Sequence, residues 1–101
     1  AGISLTKSWS KEFSQYNIRV NTVCVGILKS RQNRNKWKLL NQKDPKYTLD
    51  KHWQSVSTGV PLGRVGEAME AGDVICFLSS RKASYVTGAS VNVDGGTSPV
   101  V

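Results

Sequence analysis

Few side chains in this sequence have the type and spacing that chemistry demands. His52 is the single histidine, so a serine–histidine–aspartate triad or a histidine-based metal site would have to rest on it alone. It is read as a surface residue. Cys24 and Cys76 each sit in an apolar run, without the close spacing or histidine partners of a zinc or thiol redox centre, and are read as buried thiols. No metal site is expected. Of the three tyrosines, Tyr16 and Tyr85 are followed four positions later by Val20 and Ala89, and only Tyr47 by a lysine, Lys51. A lysine beside a phenol favours its ionised form, yet on so basic a stretch this spacing arises in any lysine-rich helix and is taken as coincidence.

Charge supplies the next candidate. The formal net charge of +7 is concentrated between Lys29 and Lys51, where eight cations face only Asp44 and Asp50. With Trp37, Tyr47 and Trp53 interleaved, this stretch has the composition of a site that holds phosphates and stacks bases. A solvated helix surface has the same composition. The remaining bulk properties, 39% hydrophobic and 21% charged, are those of a soluble globular chain. No apolar run approaches the roughly 18 residues of a membrane span, and the opening residues lack the pattern of a signal peptide. A cytoplasmic setting is expected. The 101 residues suffice for one domain or less. The abrupt opening Ala1-Gly2-Ile3-Ser4-Leu5, without a cap before its first apolar period, favours less.

The elements follow from periodicity. Leu5, Trp9, Phe13 and Tyr16 recur at helical spacing and predict an amphipathic helix over 3–16. Ile18 to Val25 is dense in β-branched residues and stops at Gly26, as a strand does. Its alternation puts Ile18, Val20 and Thr22 on one face and Arg19, Asn21 and Val23 on the other. A weakly periodic basic segment follows, with a helix anchored by Trp37, Leu39 and Leu40 before Asp44-Pro45 ends it. A second short helix is expected from Thr48, acting as N-cap, to Val56, with Leu49, Trp53 and Val56 inward. After an irregular loop through Gly59, Pro61, Gly63 and Gly66, helical spacing returns from Glu67 to Ser79 through Ala68, Ala71, Val74, Ile75 and Leu78. A turn at Ser80-Arg81-Lys82 precedes a strand from Ala89 to Val93, which stops at Asp94-Gly95-Gly96, residue types suited to positive φ. Strand, helical crossover and strand make a βαβ unit with parallel pairing. Two parallel strands leave most of their apolar faces bare, so the fold class is α/β, the edge of a larger doubly wound sheet.

Several ordered motifs sit on those elements. Ile18-Arg19-Val20-Asn21-Thr22-Val23-Cys24-Val25-Gly26, Pro61-Leu62-Gly63-Arg64, Phe77-Leu78-Ser79-Ser80, Ser84-Tyr85-Val86-Thr87-Gly88 and Val93-Asp94-Gly95-Gly96 together resemble the C-terminal portion of the short-chain dehydrogenase/reductase family, 3-oxoacyl-carrier-protein reductases in particular. The resemblance spans nearly the whole chain. It implies that residues 1–101 are the C-terminal fragment of a single Rossmann-type NAD(P)-binding domain, and that 29–57 is the variable substrate segment. It also implies that the turn after the strand, Val25, Gly26, Ile27, Leu28 and Ser30, holds the nicotinamide. In that reading a backbone amide and carbonyl at Leu28 and the Ser30 hydroxyl satisfy the carboxamide, whose one acceptor and two donors such groups can match. Valine at 25, where the family usually carries proline, releases a fixed φ; serine for threonine at 30 keeps the hydroxyl.

The same resemblance implies that Trp37, Leu40 and Trp53 line the substrate pocket and that NAD or NADP is the cofactor. Residues 67–79 and 89–93 become the contacts of a homo-oligomer. The serine, Tyr-x-x-x-Lys and glycine-rich phosphate loop of the family are expected upstream of Ala1, so no catalytic residue is assigned within these 101 and the segment alone is expected to be inactive. The implied activity is hydride transfer between the nicotinamide and a small carbonyl or alcohol substrate. Two alternatives remain at this point: a noncatalytic truncated relative acting through oligomer contacts, and a basic nucleic-acid-binding module.

Overall fold

The computed structural model describes residues 2–99. Helix α1 (Gly2–Phe13) continues into a 3₁₀ turn, Ser14–Tyr16, and stops where Asn17 turns left-handed at φ 58°. Strand β1 (Thr22–Val25) follows, then α2 (Arg31–Lys43), α3 (Leu49–Ser57), α4 (Ala68–Ser79), a second 3₁₀ turn at Arg81–Ala83, and strand β2 (Ser90–Val93). The two strands pair in parallel, Thr22 opposite Ser90 through Val25 opposite Val93. Residues 26–89 therefore form the crossover that parallel pairing requires.

Caps explain where the helices begin. The Ser30 side chain accepts from the Asn33 N–H and starts α2, and Thr48 accepts from the Lys51 N–H and starts α3, each satisfying an orphan first-turn donor. At α4 the Glu70 side chain reaches back to the Glu67 N–H at 2.9 Å. The Asp94-Gly95-Gly96 stop forms as its residue types predict, with φ of 62° at Gly95 and 91° at Gly96. Its Gly95 carbonyl accepts from the Leu62 N–H at 3.0 Å and draws the Pro-Leu-Gly-Arg loop against the end of β2.

The first strand is shorter than its composition predicts. Only Thr22 to Val25 enters the ladder, because β2 begins at Ser90 and the residues before it meet 18–21 irregularly, through a single backbone bond from the Gly88 N–H to the Val20 carbonyl at 2.7 Å. Side chains hold that segment instead. The Arg19 guanidinium donates to the carbonyls of Leu78, Ser80 and Val86, and Asn21 bonds both the Val86 carbonyl and the Ala89 N–H. The predicted alternation holds: Thr22 meets Thr6 of α1, while Arg19, Asn21 and Val23 line a hollow with Ile75 and Leu78 of α4. Successive strand residues face opposite ways, so α1 and α4 cover opposite sides of the sheet.

Three burial expectations are corrected. The inward face of α1 is small and polar: Thr6 and Ser10 are buried, and Leu5 and Trp9 are exposed. Helix and strand approach closely at Thr6 and Thr22, whose hydroxyls bond directly, and the large apolar residues are left outside. The cysteines are not both buried; Cys24 is half-buried and Cys76 lies on the exposed side of α4. His52 is not a surface residue but is 5% exposed. Its Nδ1 shares a 3.0 Å hydrogen bond with the Tyr47 hydroxyl, and its ring packs edge-on to Tyr47 and against Trp53. Aromatic neighbours on both sides in sequence carry this ring into the α2–α3 contact.

That contact stands apart from the sheet. Trp37 Nε1 and Asn41 Nδ2 both donate to the Tyr47 carbonyl, at 2.7 and 3.1 Å, so one residue between the helices fixes their relative placement. The radius of gyration is 17.2 Å, against about 13 Å for a compact chain of this length. Tyr47→Phe removes the partner of a buried ring nitrogen whose other nitrogen has none among the described residues. It is expected to destabilise the helix pair by about 1–3 kcal/mol, read as a lowered urea midpoint of tryptophan fluorescence; an unchanged midpoint would show that the bond carries no weight.

Candidate functional site

The chain leaves β1 into the turn where chemistry is expected. Gly26 lies against the exit of β2: a Cβ there would fall 2.6 Å from the Cβ of Asp94 and 2.8 Å from its Cα. No larger residue fits while both strands end side by side. The close approach that glycine allows is therefore to Asp94, within the protein. Two residues on, Leu28 forms an isolated parallel bridge with Gly66, through Lys29 N–H to the Gly66 carbonyl at 2.8 Å and Gly66 N–H to the Ile27 carbonyl at 3.1 Å. A Lys29–Glu67 ion pair at 3.1 Å reinforces the same junction. Both ends of the α2–α3 pair thus leave the sheet at one stapled point.

The five turn residues do not converge on one hollow. Val25 and Gly26 line a cavity of about 340 Å³ on the α1 side, with Ile3, Cys24, Asp94 and Thr97. Ile27 and Leu28 line a larger one of about 530 Å³ on the α4 side, with Val60, Leu62, Val74 and Val91. Ser30 caps α2 and is half-buried. The Leu28 carbonyl already accepts from the Ser30 N–H at 2.8 Å and from Asn33 Nδ2 at 2.7 Å, which uses both of its lone pairs.

The expected pocket wall is also divided. Trp53 is buried and faces a hollow of about 510 Å³ shared with Lys29, Ser57, Val60 and Glu67. Trp37 is turned to Tyr47, and Leu40 is exposed on α2. Val60 and Leu62, which border the larger cavity, were not singled out from the sequence. Their signal was the Pro-Leu-Gly-Arg loop itself, an apolar pair held beside a glycine turn. Tyr47 and Lys51 do not form a helical pair, since Tyr47 precedes the N-cap Thr48; its hydroxyl engages His52 and the Lys51 ammonium donates to the Lys46 carbonyl. Among the described residues no group of three or more histidine, cysteine or carboxylate side chains could hold a metal.

The strongest electrostatic feature is at the mouth of the larger cavity. Arg64 forms a bidentate pair with Glu70, at 2.7 and 2.8 Å. That hydrogen bond, with the Glu67 N–H second, holds the Glu70 carboxyl down to about 2, and the same pairing raises Arg64.

The family described as enoyl-(acyl carrier protein) reductase matches residues 1–98. The chain belongs to the short-chain dehydrogenase/reductase family. It is 37% identical over 94 residues to the 3-oxoacyl-[acyl-carrier-protein] reductase of Thermotoga maritima, covering 93% of this chain and 33% of that protein. It is 36% identical over 104 residues to sorbitol-6-phosphate 2-dehydrogenase of Klebsiella pneumoniae, covering 92% of this chain and 36% of the relative. Among solved structures, the L-sorbose reductase of Gluconobacter frateurii superposes with a TM-score of 0.88 at 26% identity, over 98% of this chain and 38% of the other. The α/β architecture described above is thus part of a Rossmann-type fold. The chain spans about a third of the length of the curated relatives it matches.

The Arg64–Glu70 pair gives a signed pH dependence. A carboxyl whose folded value lies below its ordinary 4.5 contributes stability that is fully present above that value and is lost as pH falls towards about 2. The gap in thermal midpoint between the wild type and Glu70→Gln should therefore be widest above pH 4.5 and close as pH falls. A gap independent of pH would remove the ion pair as its cause.

Proposed function

We propose that this chain is the C-terminal portion of an NAD(P)-dependent oxidoreductase that transfers hydride between the nicotinamide and a small carbonyl or alcohol substrate. The observation that supports it most is the family match across residues 1–98, on a chain whose β1 ends in the turn that holds the nicotinamide in such enzymes. The three neighbours named above are a 3-oxoacyl-[acyl-carrier-protein] reductase, a sorbitol-6-phosphate dehydrogenase and an L-sorbose reductase whose structure contains NADPH. Bound there, the cofactor supplies the hydride.

The residues present fit a carboxamide in part. Capping α2 uses one acceptor site of the Ser30 hydroxyl, which leaves its O–H for the carboxamide oxygen. The Leu28 carbonyl is a poorer match, since Asn33 and Ser30 already occupy it; taking up a carboxamide N–H there requires Asn33 to let go. Ile27 and Leu28 supply apolar walls that keep water from the reacting face. The proton-transfer groups of the family, a tyrosine with its lysine and a serine, are assigned to other parts of the polypeptide. Residues 29–57 act as the substrate segment, with Trp53 as its best-placed wall.

A homo-oligomer through 67–79 and 89–93 belongs to this reading. Met69, Ile75 and Phe77 of α4 are exposed and offer the apolar surface such a contact needs. Free thiols at Cys24 and Cys76 suit a reducing, cytoplasmic setting. For a basic nucleic-acid module, Trp53 is buried, which leaves Trp37 and Tyr47, both half-buried, as the interleaved aromatics on which a base could stack.

The direct test is substrate-dependent oxidation of NADH or NADPH by the complete polypeptide over a panel of small ketones and aldehydes. Turnover is expected with the complete polypeptide and none with residues 1–101 alone; no turnover with either nucleotide would sink the reading. Ser30→Ala is expected to raise KM for the nucleotide several-fold while Ser30→Thr behaves as wild type. Equal behaviour of the two variants would remove the hydroxyl from the cofactor site. Sedimentation of the complete polypeptide should show a dimer or tetramer, and a clean monomer at micromolar concentration would remove the oligomer.

A further inference from the structure

We propose that one face of α2 is a docking surface for a phosphate-ester handle on the substrate, remote from the carbon that reacts. The proposal rests on the cofactor reading above, since the nicotinamide turn fixes where the reacting carbon must lie.

Charge on this molecule is not spread out. Residues 29–51 hold eight cations and two acids, a net +6, and the rest of the chain holds six cations and five acids, a net +1. Outside α2, Lys29 pairs with Glu67, Arg64 with Glu70 and Arg19 with three carbonyls, while Lys7, Lys11, Arg81 and Lys82 are exposed but scattered, two on α1 and two in the turn after α4. On α2, Arg31, Arg34, Lys36, Lys38 and Lys43 are exposed and none forms an ion pair among the described residues. Arg31, Arg34 and Lys38 stand at i, i+3 and i+7, one row along one side of the helix.

Folding alone does not favour that row. Like charges three and four residues apart destabilise a helix, and α2 offsets them with no buried residue of its own and no acidic residue in its first turn. A bound polyanion would remove the repulsion. Two arginines suit it particularly, since the planar guanidinium grips phosphate oxygens in pairs.

The row is also held at a defined place. Asn33 Nδ2 bonds the Leu28 carbonyl at 2.7 Å and Trp37 Nε1 bonds the Tyr47 carbonyl at 2.7 Å, so a neighbouring side of α2 is pinned to the turn and to the base of α3. With a rise of about 1.5 Å per residue, Arg31 to Lys38 spans about 10 Å and begins about one turn from Leu28. A row that short matches one or two phosphates.

Isothermal titration of the complete polypeptide decides the matter, with fructose 1,6-bisphosphate as probe and fructose as its phosphate-free counterpart. Saturable binding of the bisphosphate and none of fructose is expected. R31Q/R34Q/K38Q should weaken the bisphosphate at least tenfold, and K7Q/K11Q/K82Q, which removes the same charge elsewhere, should change it less than twofold; circular dichroism of both variants should match wild type. No saturable binding, or equal loss in the two variants, would overturn the surface. A single-stranded oligonucleotide that binds more tightly than the bisphosphate through the same three residues would overturn it in favour of nucleic acid. A parallel titration with NADPH separates the two readings: bisphosphate binding without NADPH uptake would overturn the cofactor reading and the role of this face as a substrate handle with it.

Discussion

Everything in this chain depends on the parallel pairing of β1 and β2. Parallel strands cannot be joined by a tight turn, so the 64 residues from 26 to 89 must leave one end of the sheet and return to the other. That journey creates the molecule's two regions. One is the sheet with α1 and α4 on opposite faces. The other is the α2–α3 pair, which packs on itself and is joined to the sheet through the stapled bridge of Leu28 with Gly66 and the Leu62–Gly95 bond at the end of β2.

The same pairing explains why so little is buried. A parallel sheet is stable when helices cover both faces and several strands share them. Here each face has a single helix, and Leu5, Trp9, Ile18, Val25, Ile75 and Phe77 stay open to solvent. The polar inner face of α1 belongs to this picture. Thr6 and Ser10 are small enough for the helix to sit close to β1, and the apolar side chains that the helical period marks out, Leu5 and Trp9, face away from it. Periodicity identified an amphipathic helix, but it could not say which of the two faces meets this sheet.

Local chemistry was the legible part of the sequence. The cap at Thr48, the glycine stop after Val93 and the helix after Glu67 follow from residue types acting over three or four positions, and they appear where those types stand. The fold class was legible too, because strand, long crossover and strand leave no other pairing. What the sequence did not disclose depends on contacts between distant segments. His52 is buried because Tyr47 and Trp53 enclose it. Cys76 is exposed because α4 turns that side away from β1. Strand β1 begins at Thr22 because its partner begins at Ser90. The turn at 25–30 had the right residue types, yet the engagement of the Leu28 carbonyl by Asn33 is a three-dimensional fact that spacing does not carry.

That engagement links the two regions. Asn33 belongs to the first turn of α2, and by holding the Leu28 carbonyl it fixes how the helix pair leaves the bridge with Gly66. Any ligand that competes for the same carbonyl must loosen the base of α2, and any force on α2 must be felt at Leu28. Further along the same helix, the bonds that Trp37 and Asn41 give the Tyr47 carbonyl hold α2 against the start of α3. The cavity beside Leu28 and the base of α2 thus meet at one carbonyl, held by the Asn33 amide and the Ser30 N–H together.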